Sequence, residues 1–321
     1  MRVKKSTPII LVFIQGFYSA AAIAQPSTSP EIMVLQRMID SGAAAITVQP
    51  GTYTVAEPIE LRPTLRTLDL TQVTLEAAEG AFLGSTDALM RIHECKNLTI
   101  VGRDAVLRMR RADYREAPYF ADDGKLFPGS QHRHGIDMRG SDNVRIWGLA
   151  IEDTGGDGIY VGPTWDARRI PNTAIGLFGV TITRAHRNGI SVISANGLTG
   201  ESLVIRDVAG TSPQAAIDVE PANLRDSAQN IVFRNVLSDG VRGAPYIVAI
   251  ARSNATSSPV GVRFEQCRAE RMFPDQTELR LSAVISVVTS TDGLVYANGL
   301  LRPDLPATSI EYNGLLWTNR R

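Results

Sequence analysis

Asp218 and Glu220 stand two positions apart in the apolar stretch Ala215-Ala-Ile-Asp-Val-Glu220. On an extended chain two such side chains face the same way, about 6 to 7 Å from one another. Acids are poor strand formers, so a pair of them on a strand calls for a reason. Carboxyl groups about 6.5 to 9.5 Å apart suit inverting glycoside hydrolysis, in which one protonates the leaving oxygen and the other activates water on the opposite side. Crowding raises the pKa of one toward the range a general acid needs. Asp157, in Gly156-Asp-Gly-Ile159, is a third candidate, expected two rungs from Asp218 and so on the order of 10 Å away. Strict alternation turns it inward unless the chain bends at Gly158. His134, titrating near neutrality, completes the candidate catalytic set. The competing structural roles are an inert Asp-Gly turn for Asp157 and a solvated acidic face for Asp218 and Glu220.

The elements that must position these groups are written as a repeat. His134-Gly-Ile-Asp-Met138, Asp157-Gly-Ile-Tyr-Val161, Asn188-Gly-Ile-Ser-Val192 and Ala215-Ala-Ile-Asp-Val219 start roughly two to three dozen positions apart, a period that belongs to repeat architectures. Each is a short strand with two apolar side chains in and one variable side chain out. Stacked in parallel, Asp137, Tyr160, Ser191 and Asp218 form an outer ladder with rungs about 4.8 Å apart. A second strand set follows Asn turns, as in Asn97-Leu-Thr-Ile100, Asn143-Val-Arg-Ile146 and Asn230-Ile-Val-Phe233, and those asparagines are expected to serve the turns. Earlier strands run from Ile46 to Leu75 with no helical period between them, so a βαβ fold is excluded and the class is all-β. Before them, Ser29 reads as an N-cap, Pro30 as the first helical residue, and Ile32, Leu35, Met38 and Ile39 as one apolar face ending at Ser41-Gly42. This helix is expected to cap the open end of the stack. Longer connections at 112–133 and 162–173 are expected to wall the surface over the first rungs, and 292–321 to close the far end.

Residues 1–24 read as a signal peptide, with a basic start, an apolar run and Ala22-Ile23-Ala24 as the cleavage site; 25–30 is a linker and 31–321 a single domain. Removing Arg2, Lys4 and Lys5 takes the 33 basic residues to 30 against 33 acidic ones. That balance argues against a nucleic-acid partner, and no later stretch suits a membrane span, so the expected product is a secreted or periplasmic monomer. Cys95 and Cys267 fall about six rises apart, on the order of 29 Å, too far to bridge.

Val48-Gln-Pro-Gly-Thr-Tyr-Thr-Val55 resembles the opening coil of secreted pectate-lyase-like β-helix proteins. His186-Arg-Asn-Gly-Ile-Ser-Val-Ile193 and Gly156-Asp-Gly-Ile159 resemble coils of polygalacturonase-type glycoside hydrolases. The resemblance implies a right-handed parallel β-helix, a solenoid, acting on polysaccharide or oligosaccharide. Asp157 matches the Asp-Gly-Ile of that family, whereas its paired-Asp coil is missing. Asn188 stands at its Gly-His-Gly position and Ile217-Asp-Val219 at its Arg-Ile-Lys position. The leading expectation is cleavage of glycosidic bonds with Asp157 and Asp218 or Glu220 as acid and base. Arg133, Asp137, Arg139, Tyr160, Trp165, His186, Arg187 and Asn188 are assigned to substrate. The arginines suit the carboxylates of an acidic sugar, and the aromatics suit sugar rings. Hydrolysis needs no cofactor or metal. One alternative is a uronate lyase or epimerase, with His134, Tyr160 or an arginine taking the C5 proton and the acids holding Ca²⁺. Another is a non-catalytic carbohydrate-binding or adhesive solenoid.

Overall fold

Like residues stack on like through the molecule, because each strand pairs in parallel with its counterpart one coil on. The computed structural model describes residues 26–84, 86–115, 119–120, 126–127, 132–250, 258–274, 276–282, 286–287, 297–298 and 308–319. The signal segment, most of the 116–131 connection and most of 288–307 lie outside them. Eight strands form one ladder: β1 (Ile59–Leu61), β2 (Ala88–His93), β3 (His134–Arg139), β4 (Ile159–Gly162), β5 (Ile190–Val192), β6 (Ile217–Val219), β7 (Tyr246–Ala249) and β8 (Leu279–Ser282). Their register lines up Ile136, Ile159, Ile190 and Ile217 in one buried column and Met138, Val161, Val192 and Val219 in another. The outward column is Glu60, Arg91, Asp137, Tyr160, Ser191, Asp218, Ile247 and Arg280. The four variable positions therefore share one face, as their spacing predicts.

The rest of each coil belongs to a 14-stranded sheet. Its long strands, such as Lys96–Arg108, Asp142–Glu152, Ala195–Arg206 and Ala228–Asp239, pass a corner midway, giving each coil three faces. The fold is a parallel β-helix, right-handed as parallel crossovers are. Asn97, Asn143 and Asn230 have φ of 55°, 52° and 53°, the left-handed region that asparagine tolerates best among side-chain-bearing residues. Asn143 Nδ2 donates to Asn97 Oδ1 at 2.7 Å, and Asn230 Nδ2 to Asn196 Oδ1 at 2.9 Å. The corners are thus tied from coil to coil.

The capping helix α1 spans Pro30–Asp40 and buries Ile32, Leu35 and Ile39. Ser29 stands at its N-cap and Pro30 opens its first turn, as expected, but two details differ. Met38 lies 42% exposed, because four apolar positions span more of the helix than the first coil covers. Ser29 makes no side-chain cap; its hydroxyl accepts the Thr54 N–H at 2.8 Å, docking the helix start on the first coil. No helix among the described residues is long and apolar enough to cross a membrane. At the other end Thr308–Tyr312 and Leu315–Asn319 form an antiparallel hairpin on the sheet edge. Cys95 and Cys267 are free and buried, their thiols pushed up to about 12 by desolvation.

The ladder strands β3, β4 and β5 each enter through a bend. Gly158 N and Ile159 N donate consecutively to Asn188 O and Gly189 O, both at 2.9 Å, so the alternation of a regular strand is broken there. Gly158 faces the interior, where a Cβ would lie 2.5 Å from Ile182 Cγ2 and 2.7 Å from Gly189 O. Gly158→Ala is expected to lose roughly 1–3 kcal/mol, the usual cost of overpacking against backbone. Gly261→Ala, whose Cβ would meet nothing closer than Asn230 N at 3.6 Å, should unfold within error of the parent in parallel urea titrations.

Candidate active site

The bend exposes a backbone amide in each coil, and the side chain one coil earlier accepts it. Asp157 N donates to His134 Nδ1 at 3.0 Å, Asn188 N to Asp157 Oδ1 at 3.1 Å, and Ala215 N to Asn188 Oδ1 at 2.9 Å. His134, Asp157 and Asn188 are therefore a column of acceptors, one before each glycine, and all three are buried. This bend is what brings Asp157 round to the outer face. There Arg187 Nη1 reaches its Oδ2 at 3.0 Å, and the Ser191 hydroxyl also bonds it. Burial pushes the Asp157 carboxyl upward, opposed by Arg187, Ser191 and the Asn188 amide.

Asp218 sits one rung above Ser191, 1% exposed. Asn188 Nδ2 spans the two, donating to Ser191 Oγ at 3.0 Å and to Asp218 Oδ2 at 3.2 Å. Asp218 Oδ1 is buried without a protein partner. Desolvation, then the nearby Glu220 charge, push Asp218 up to about 7, with Arg187 opposing and Asp157 adding. Glu220 follows two residues on and is half-buried. Arg187 is held charged chiefly by Asp157, with Asp218, Glu220 and Tyr160 contributing. Asp157, Asp218 and Glu220 therefore all lie close enough to Arg187 to act on its charge, and Asp157 pairs with it directly. An open trough does not follow: Asp137, Ser191 and Asp218 are at most 1% exposed.

A second cluster occupies the rungs below. Arg139 Nε donates to Asp137 at 2.9 Å, and its guanidinium lies between the rings of Tyr160, at 4.6 Å, and Trp165, at 3.9 Å. Trp165, from the 162–173 connection, is 60% exposed and roofs this cluster. That connection is fixed by the buried pair of Arg169 with Asp226, at 2.7 Å. Burial would raise Asp137, but the hydrogen bond with His93 and the Arg139 charge outweigh it and hold the carboxyl down at about 2. Tyr160 stacks on His134 with centroids 4.8 Å apart.

Several assignments change. Arg133 is not a substrate group: it is fully buried, with its guanidinium on the carbonyls of Gly84 and Tyr114. His134 is not an available acid or base. Burial drives its pKa well below the ordinary value, and Nδ1 already accepts the Asp157 amide, which leaves the proton on Nε2. Asn188 positions Asp218 and Ser191 instead of facing ligand. His186 is 6% exposed and lies against Gly210, where a Cβ would come within 2.3 Å of its Nδ1. Arg139 and Arg187 are already paired with Asp137 and Asp157, so the argument for an acidic sugar loses its cations. The side chains at 119, 120, 122, 123 and 125 lie outside the described residues. No group of three metal-ligating side chains occurs among the described ones.

Sequence reasoning missed a second polar column at the exit of the ladder. Cys95 N donates to Ser141 Oγ at 3.1 Å, Ser141 N to Asn172 Oδ1 at 2.9 Å, and Ser227 N to Ser194 Oγ at 3.0 Å. The signal was there in part, a serine two residues after the strands ending at Arg139 and Val192.

No family model and no curated protein matches the chain. Among solved structures it is similar to an E. coli bacteriophage tailspike protein in complex with a pentasaccharide, at 13% identity over 80% of this chain and 47% of that one, TM-score 0.49. Endo-xylogalacturonan hydrolase from Aspergillus tubingensis aligns at 12% identity over 90% and 91%, TM-score 0.47. Alginate lyase from a Paenibacillus species aligns at 14% over 78% and 97%, TM-score 0.37. The chain spans about half the length of the tailspike.

Asp218 also sets a pH dependence. Folded, it keeps its proton up to about 7; unfolded, it releases it near 3.8. Between those values the folded state binds more protons, so the contribution of Asp218 to stability falls as pH rises through the window. Asp218→Asn should therefore be stabilised relative to the parent at pH 8 and lose that advantage at pH 4. Equal differences in urea midpoint at the two pH values would contradict this.

Proposed function

We propose that the chain hydrolyses a glycosidic bond of a polysaccharide or oligosaccharide, with Asp218 as the general acid and Glu220 as the partner carboxylate. The observation that carries this is a buried carboxyl raised to about 7 with one oxygen unbonded, two residues from a second acid just past the end of its strand. A group that is half-protonated near neutrality can deliver a proton to a leaving oxygen, which contributes about 10²- to 10⁴-fold in rate. Arg187 steadies the carboxylate that remains after transfer. Asp157, buried and tied to an amide and a guanidinium, acts as a positioning residue that aims Arg187. Trp165, 60% exposed, supplies a ring surface of the kind that packs on sugars.

The lyase alternative needs a base at C5. His134 has no free lone pair for it, and burial raises the Tyr160 phenol, which keeps its proton. With the arginines internally paired, the sugar at the cleavage point is inferred to be uncharged. The non-catalytic alternative gives no reason for the raised carboxyl of Asp218.

Asp218→Asn should lower turnover by about 10²- to 10⁴-fold, read as new reducing ends on a panel of soluble polysaccharides. The parent should lose activity as pH rises past about 7, where Asp218 ionises. Absorbance of an unsaturated product, or full activity in Asp218→Asn, would reject the assignment.

A further inference from the structure

The outward positions of the long sheet carry alternating charges along part of one column, as a solvated face should. Glu201, Arg234 and Glu265 follow one another in register, with Arg234 Nε on Glu265 at 2.7 Å. The same column departs from that pattern just before Glu201, where Trp147 and Phe178 stand on adjacent rungs. Their rings stack at 4.1 Å with planes 20° apart. Trp147 is nevertheless 45% exposed. Nearly half of its surface stays in water, so the indole gives the core less than a fully buried one would.

The backbone beside the pair is cleared. Gly148 and Gly179 turn the corner with φ of 66° and 61°, leaving a shelf without side chains next to both rings. A hollow of about 550 Å³ results, within the range of about 300–1,000 Å³ usual for small-ligand sites. Its rim mixes signs, with Arg103, Asp104 and Glu201 around it. Flat apolar faces bordered by hydrogen-bonding groups of both signs match a neutral pyranose, whose C–H face packs on a ring while its hydroxyls donate and accept. Two rings and a narrow shelf are too small for a stable protein interface, which buries about 1,200–2,000 Å².

We infer that the Trp147–Phe178 face is a second carbohydrate-binding surface, which holds a neutral polysaccharide chain on a different side of the coil from the acid ladder. The inference rests on the carbohydrate part of the proposed function and adds to it a non-catalytic anchoring site for the polymer. Such a site raises the local concentration of chain at the acids and has no role with substrates too short to span both faces.

Native electrophoresis in gels containing β-glucan, galactan or mannan, with polygalacturonate as the acidic comparison, tests it directly. The protein is the Asp218→Asn form, so that no polymer is degraded during the run. At least one neutral gel should retard it, and adding Trp147→Ala should weaken the apparent affinity by roughly tenfold or more. Trp147→Ala alone should leave turnover of short oligosaccharides unchanged. Retardation that survives Trp147→Ala, retardation in the acidic gel alone, or none in any gel overturns the inference. Trp147-dependent retardation in a parent protein that cleaves nothing would leave this surface standing while removing the hydrolase assignment.

Discussion

A buried amide needs an acceptor, and the whole ladder is arranged around meeting that need. The chain enters each strand with two successive N–H groups aimed at the neighbouring coil, which lets it turn sharply but leaves the preceding amide without a strand partner. His134, Asp157 and Asn188 each supply that partner for the coil that follows. Leaving such an amide unmet costs about 1–3 kcal/mol, a large part of a domain's net stability. Glycine after the acceptor is equally constrained, because the interior at that point is filled by an isoleucine of the next sheet and a carbonyl of the next coil. The phrase acceptor-Gly-Ile is therefore the smallest unit that makes the turn, and the register of the outer face follows from it.

That constraint also sorts the charged groups. Asp157 lies where it does because the corner requires an acceptor, and its charge then demands Arg187. A buried pair of this kind is a poor source of stability, since desolvation offsets most of the attraction. What it does supply is position: Arg187 is held by Asp157 where it also feels the charges of Asp218 and Glu220. Arg139 is treated alike, clamped by Asp137 and two aromatic rings. Both guanidiniums are spent on the protein itself. A face that looked rich in free cations from composition is, in three dimensions, nearly neutral.

The fold was legible because its rule is local. Period-two apolar phrases, a glycine or asparagine at each corner and the absence of a helical period are all properties of short windows, and stacking multiplies the signal coil by coil. That Asp157, Asp218 and Glu220 lie near one another was legible for the same reason. The fate of single polar side chains was not. His134, Arg133 and Asn188 look like ligand groups because histidine, arginine and asparagine often are; which of their atoms are already taken depends on amides and carbonyls one coil or tens of residues away. The acceptor column could still have been found, since the residues before Gly135, Gly158 and Gly189 can all accept a hydrogen bond.

The fourth copy of the phrase breaks the pattern, and the proposed general acid lies at the break. Ala215 replaces the acceptor and Ala216 the glycine, so the corner here hands no side chain on to the next coil. In the earlier copies the acceptor before the glycine, His134, Asp157 or Asn188, is drawn into holding the turn. Asp218 is not; its Oδ2 takes one bond from Asn188, at the end of the column, and its Oδ1 takes none. A carboxyl buried in that state has no strong partner to stabilise its charge and so keeps its proton to an unusually high pH. Asp218 holds the rung position of the phrase, three residues after Ala215, and no corner calls on it. A carboxyl outside the acceptor column, buried and with one oxygen unbonded, is the one the proposal assigns to proton transfer.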